Sequence, residues 1–219
     1  MEGIGEPGGH AHHHHSEEGG GGKFELICGL VLTLFAAVLA IAELQAGNFR
    51  SEELISYNEK ANAYSWYNTK GIKQSLLEGQ RDLLKSLLDA KSIQKEQVEG
   101  VQADYNELNK TIARYKKEKN EILEGSAKVG KENWVQDVDG VMGKVKGAKE
   151  WEERGKALGE AREVFDHAAL YLHIGLVIGA ISLVMRDKKF KYAFFFALVV
   201  LGIVGTIYGL QAYMMAIKV

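Results

Sequence analysis

The chain has 219 residues, 46% of them hydrophobic and 26% charged, with a formal net charge of -2 at pH 7. That balance speaks against a nucleic-acid partner, whose phosphates require clustered Lys and Arg on one face. The one cysteine, Cys28, has no internal disulfide partner, and the one proline, Pro7, leaves every later segment free to run as helix.

The averages hide a segregation, because apolar residues gather at the two ends and nearly all the charge lies between. Residues 1–22 form a His/Gly-rich tail in which His10, His12, His13, His14 and His15 could converge on zinc, nickel or copper. Nothing in this tail fixes a coordination geometry, so an expression tag or a weak metal-buffering tail is the preferred reading. No other cofactor is expected.

Residues 23–45 read as the first transmembrane helix. Positions 26–42 carry no charge, and at 1.5 Å rise per residue they reach about 26 Å, near the lower limit for spanning. Insertion of their Leu, Ile, Val and Phe side chains is favourable by about 3–6 kcal/mol before polar costs. A secretory signal peptide is the rival reading, since Ala40-Ile41-Ala42 resembles a small-residue cleavage site. The long lead-in, with Lys23 its only positive charge, favours a retained span.

Residues 46–166 are expected to form a soluble helical hairpin. Leu54, Tyr57, Ala61 and Tyr64, then Ile72, Leu76, Leu83 and Leu87, recur at helical intervals and predict one amphipathic helix over 49–89. Val98, Val101, Tyr105, Leu108, Ile112, Tyr115 and Ile122 form a cleaner heptad seam that seeks a partner helix. Both limbs must return to one membrane surface, and a turn near 90–100 balances their lengths if a Gly-rich insertion, 125–147, bulges from the return limb. The object predicted is an antiparallel coiled-coil hairpin projecting roughly 60–70 Å. Within the insertion, Trp134, Val135, Val138, Val141, Met142 and Val145 suggest a short helix folding back onto the hairpin.

Residues 167–186 and 192–217 read as the second and third transmembrane helices, the latter with length to spare for tilt. The loop between them, 187–191 with Arg186 before it, is strongly basic, and short basic loops stay in the cytoplasm. The N-terminus is then cytoplasmic and the hairpin extracytoplasmic. Ala36 and Ala40, Gly175 and Gly179, and Gly205 and Gly209 each lie four apart, the spacing that lets helix backbones approach closely in a bilayer. His173 is the one ionisable residue placed deep in a span, a candidate pore residue or a histidine bonded to a neighbouring helix. Nucleophile elbows, phosphate-binding glycine loops and Cys/His metal spacings are not found, and an enzyme is not expected.

Trp66-Tyr67 followed by Lys70, Ile72 and Lys73, then Ile112-Ala113-Arg114-Tyr115-Lys116-Lys117-Glu118-Lys119, then Phe165-Asp166 entering a span, resemble the bacterial family called domain of unknown function 4337. The resemblance covers nearly all of 24–217, with 125–147 standing as an insertion. It implies a bacterial envelope protein and no particular activity. The expectation is therefore an all-α integral membrane protein with three transmembrane helices and a long antiparallel coiled-coil hairpin between the first and second. Its partners would be the lipid bilayer, further copies of itself and an envelope protein, with Trp66, Tyr67, Leu108 and Ile112 carrying hairpin contacts. The expected role is structural or interactive at the inner membrane; the alternative is an oligomeric channel or transporter subunit with its pore at protomer interfaces.

Overall fold

The computed structural model describes residues 21–218. Four long helices dominate it: α1 (Gly21–Asp89), α2 (Val98–Glu124), α4 (Ala148–Val184) and α5 (Lys188–Ala216), with a one-turn α3 (Ser126–Val129) between α2 and α4. Three of these, α1, α4 and α5, contain stretches long and apolar enough to cross a membrane.

The first apolar segment and the charged limb after it are one unbroken helix, because no proline or helix-stopping turn lies between them. At 1.5 Å per residue its 69 residues extend about 100 Å. It ends in a tight cap with Lys91 left-handed at φ 48°, where Ser92 N donates to Leu87 O and Lys91 N to Leu88 O. The chain turns through 90–97 and returns as α2, antiparallel to α1. Antiparallel order continues into α4, where Lys60 meets Glu152 at 3.0 Å, Glu53 meets Arg162 at 2.9 Å and Phe49 stacks on Phe165.

The inward face of α1 follows one alternation of four and three residues along its whole length. Cys28, Leu32, Phe35, Leu39, Ala42, Ala46, Phe49 and Glu53 carry it through the apolar part, all buried or half-buried. Ser56, Lys60, Ala63, Tyr67, Lys70, Gln74, Leu77, Arg81, Leu84 and Leu88 continue it to the distal turn. The facing column on α2 is Val101, Tyr105, Leu108, Ile112, Tyr115 and Ile122, with Ile112 and Ile122 buried; of the residues expected from spacing, Val98 at the start of α2 is exposed. The α1 limb differs from expectation. Ile72, Leu76 and Leu83 are 72%, 63% and 61% exposed and point away from α2. The residues that do face α2 include Lys70, Gln74 and Arg81, whose aliphatic stems cover the seam while their heads reach polar partners.

At the other end, α4 and α5 pack closely on each other and on the start of α1. A Cβ on Gly179 would lie 2.6 Å from Leu32 Cδ2, and one on Gly205 would lie 2.7 Å from Leu172 Cγ. A Cβ on Gly202 would likewise run into the Phe35 ring. The turn between α4 and α5 is held by Ser182 Oγ donating to Lys191 O at 2.9 Å and by the Asp187 carboxylate capping α5 at Lys189 N.

Residues 125–147 are not a helix folded back, which corrects the expectation. They form α3, a short 3-10 turn and a two-residue-per-strand hairpin, β1 (Asp137–Val138) against β2 (Val141–Met142). The Asp139-Gly140 turn, with φ 55° and 77°, is the pair such a hairpin requires, and Gly140 N donates to Asp137 Oδ1. The excursion closes on itself: a Cβ on Gly147 would collide with the Gly125 backbone N, so the chain leaves α2 and enters α4 at one point. A glycine is needed there because two backbones occupy the space of a side chain.

Candidate interaction surface

The histidines at 10 and 12–15 lie outside the described residues. Among the described residues no group of three or more His, Cys, Asp or Glu is disposed to hold a metal ion.

His173 is brought to a partner on another helix. Its Nδ1 lies 2.8 Å from Ala169 O, and its Nε2 lies 3.3 Å from the Glu43 carboxylate on α1. A carbonyl can only accept, so Nδ1 carries the proton toward Ala169 and Nε2 is left facing the carboxyl. The contact forms because side chains tilt toward the N-terminus of their own helix, which aims Glu43 and His173 at each other from antiparallel helices. Of the six small residues singled out, Gly175, Gly179 and Gly205 are buried in the α1–α4–α5 packing, and Gly209 is half-buried. Ala36 and Ala40 point outward.

The most ordered polar site is one that periodicity could not show. Glu121, fully buried on α2, accepts from Val135 N and Gln136 N, both at 2.9 Å, and from Ser126 Oγ at 2.7 Å. Ser126 Oγ in turn accepts from Val145 N at 3.0 Å, and Ser126 O accepts from Trp134 Nε1 at 2.8 Å. One carboxylate thus ties three points of the insertion to the hairpin. Lys149, paired with Glu124 beside the closure, has its pKa raised chiefly by that hydrogen bond. Halfway along the hairpin, buried Glu118 is held by Lys70 at 2.5 Å and Arg114 at 3.2 Å. Lys119 sits over the Tyr67 ring at 4.8 Å. Tyr67 and Trp66 are half-buried here, while Leu108 lines a gap of about 410 Å³ between the distal limbs.

A second column runs along α1, two residues out of step with the inward one and so about 200° around the helix. In the apolar part it comprises Leu30, Leu34, Ala37, Ile41 and Leu44. Asn48, Ser51, Ile55, Asn58, Asn62, Ser65 and Thr69 carry it through the charged limb. It ends in Ile72, Leu76, Gly79, Leu83 and Ser86. Every one of these positions is exposed and none is charged, although Glu, Asp, Lys and Arg are frequent on the rest of the limb. An exposed helix face ordinarily carries the charge, so an uncharged one of this length is the feature of the surface that calls for a cause.

The family model for a domain of unknown function, DUF4337, matches residues 25–215. The chain belongs to this family. The matched range runs from the first apolar segment to the third and spans the hairpin between them. No curated protein and no solved structure matches the chain.

Proposed function

We propose that this DUF4337 protein is a structural or interaction protein of the bacterial inner membrane, a homo-oligomer anchored by three spans, whose coiled-coil hairpins project from the bilayer. No reaction is assigned to it. The observation that carries this reading is continuity. Both α1 and α4 pass from apolar to charged sequence without a break, so the projecting rod is an extension of the anchor and not a domain tethered to it. Such a coupling suits a protein that holds a contact at a set height above the membrane. The basic segment Arg186, Lys188, Lys189 and Lys191 supports a cytoplasmic turn between α4 and α5, with the hairpin outside and an envelope protein as a further partner.

The channel alternative draws less support. His173, its candidate residue, has both ring nitrogens engaged by Ala169 and Glu43, an arrangement suited to fastening α4 to α1.

Alkaline extraction and protease accessibility test the reading together. The protein should stay in the membrane pellet at high pH, and protease added to spheroplasts should cut within 125–147 while sparing 186–191. Release into the supernatant, or a 125–147 segment reached only from the cytoplasmic side, would contradict it.

A further inference from the structure

We propose that the outward column of α1 is the seam of a parallel, in-register homodimer, in which α1 of one copy lies against α1 of a second from the apolar segment to the distal turn. The inference rests on the membrane-anchored reading above and adds the partner and its register. Two copies inserted the same way in one bilayer can pair only about an axis along the membrane normal, and such an interface is isologous. Each residue of the column then faces its own copy. A charged residue there would face a like charge, and the column has none.

Four further observations agree with that geometry. The column keeps the heptad alternation of a two-stranded seam for about 85 Å, a length that only a partner spanning both bilayer and hairpin can match. Asn48, Asn58 and Asn62 sit in it, and an amide carries both a donor and an acceptor, so each can bond its own copy. Asparagine inside a seam is the device by which parallel helices fix their register. The flanking residues, which meet across a parallel pair at a spacing of five, put Glu52 against Gly47, Glu59 against Leu54, and Lys73 against Asn68. No like charges meet. Gly79 has open space where a side chain would be, which lets the two backbones draw together between Leu76 and Leu83.

Size is sufficient as well. The column and its flanks reach the roughly 20 to 30 residues a side of a standard interface. Confinement to one membrane raises the effective concentration of the second copy, so the polar middle of the seam need not contribute much.

The test uses the full-length protein in its native membranes, with Cys28→Ser as background and one new cysteine at a time. Ile72→Cys is placed at an exposed position, so it should leave the melting of the helices unchanged. In the proposed register its copy lies within the 4.4–6.8 Å Cα separation that a disulfide bridges, and mild oxidation should give about tenfold more covalent dimer than for Lys85→Cys, an exposed position away from the column. Equal yields from the two variants would overturn the seam. The intact mass of the wild-type particle in native nanodiscs then separates two failures. Two or more copies without the Ile72→Cys disulfide would sink the seam alone, whereas a single copy would sink both the seam and the oligomeric reading.

Discussion

The two faces of α1 keep the same spacing for the same distance and are made of opposite materials. The inward face mixes Ala63, Leu77 and Leu84 with Lys60, Lys70 and Arg81, and every position finds cover within the protomer. The outward face has no charge at all and is covered by nothing among the described residues. Periodicity specifies that a face packs; composition tells with what. A seam closed within one chain can place a Lys opposite a Glu, as Lys70 opposite Glu118, because its two sides are different sequences. A seam between identical helices in register cannot.

The sharpest way to break this comparison is on the inward side. Replacing Leu108 and Ile112 together by Asp would set unpaired carboxylates into the α1–α2 contact and should cost at least about 4 kcal/mol, seen as early loss of hairpin helicity on heating. Glu121→Ala should come next. It leaves Val135 N, Gln136 N and Ser126 Oγ without their acceptor, a loss of about 3 kcal/mol that should fall on the insertion alone. Rapid proteolysis within 125–147, with the long helices intact, is the expected signature. Lys70→Ala removes the nearer cation from buried Glu118 but leaves Arg114, so about 2 kcal/mol is expected in thermal or chemical unfolding.

The outward side should answer differently. Leu76→Gln with Leu83→Gln should change protomer stability by less than about 0.5 kcal/mol, because both side chains already face solvent in the protomer, yet should abolish pairing of copies. The smallest effect concerns pH. Glu124 raises the Lys149 pKa, so this pair's contribution is complete below the lysine's unfolded value and fades as pH rises through the folded one. Wild type and Lys149→Gln should therefore differ at pH 9 and converge in strongly alkaline buffer, as followed by thermal unfolding.

Much of the architecture was legible because the physics behind it is local. Apolar runs long enough to span, a basic loop at 186–191, and the clean α2 seam from Val101 to Ile122 each announce themselves in a short window. The turn at 90–97 followed from balancing limb lengths. The inward face of α1 was not legible, since its polar members bury their stems and its neighbours Ile72, Leu76 and Leu83 supply the stronger apolar rhythm. That rhythm belongs to the other face. In the insertion, Asp139-Gly140 was the available sign of a tight hairpin, while Val135, Val138, Val141 and Val145, spaced three, three and four apart, carry a helical rhythm that this turn overrides. Glu121 carries no local sign, because a glutamate in a Lys- and Glu-rich helix is unremarkable until Ser126 and two backbone N–H groups are folded against it. The pairing of His173 with Glu43 likewise depends on how two distant helices align.

The most direct measurement is native mass spectrometry of the intact protein released from lipid nanodiscs, wild type beside the Leu76→Gln, Leu83→Gln variant. The account predicts two copies, or a multiple of two, for the wild type and single copies for the variant, with the same helix content and melting in both. A wild-type particle of one copy, or a variant that assembles as the wild type does, would contradict it.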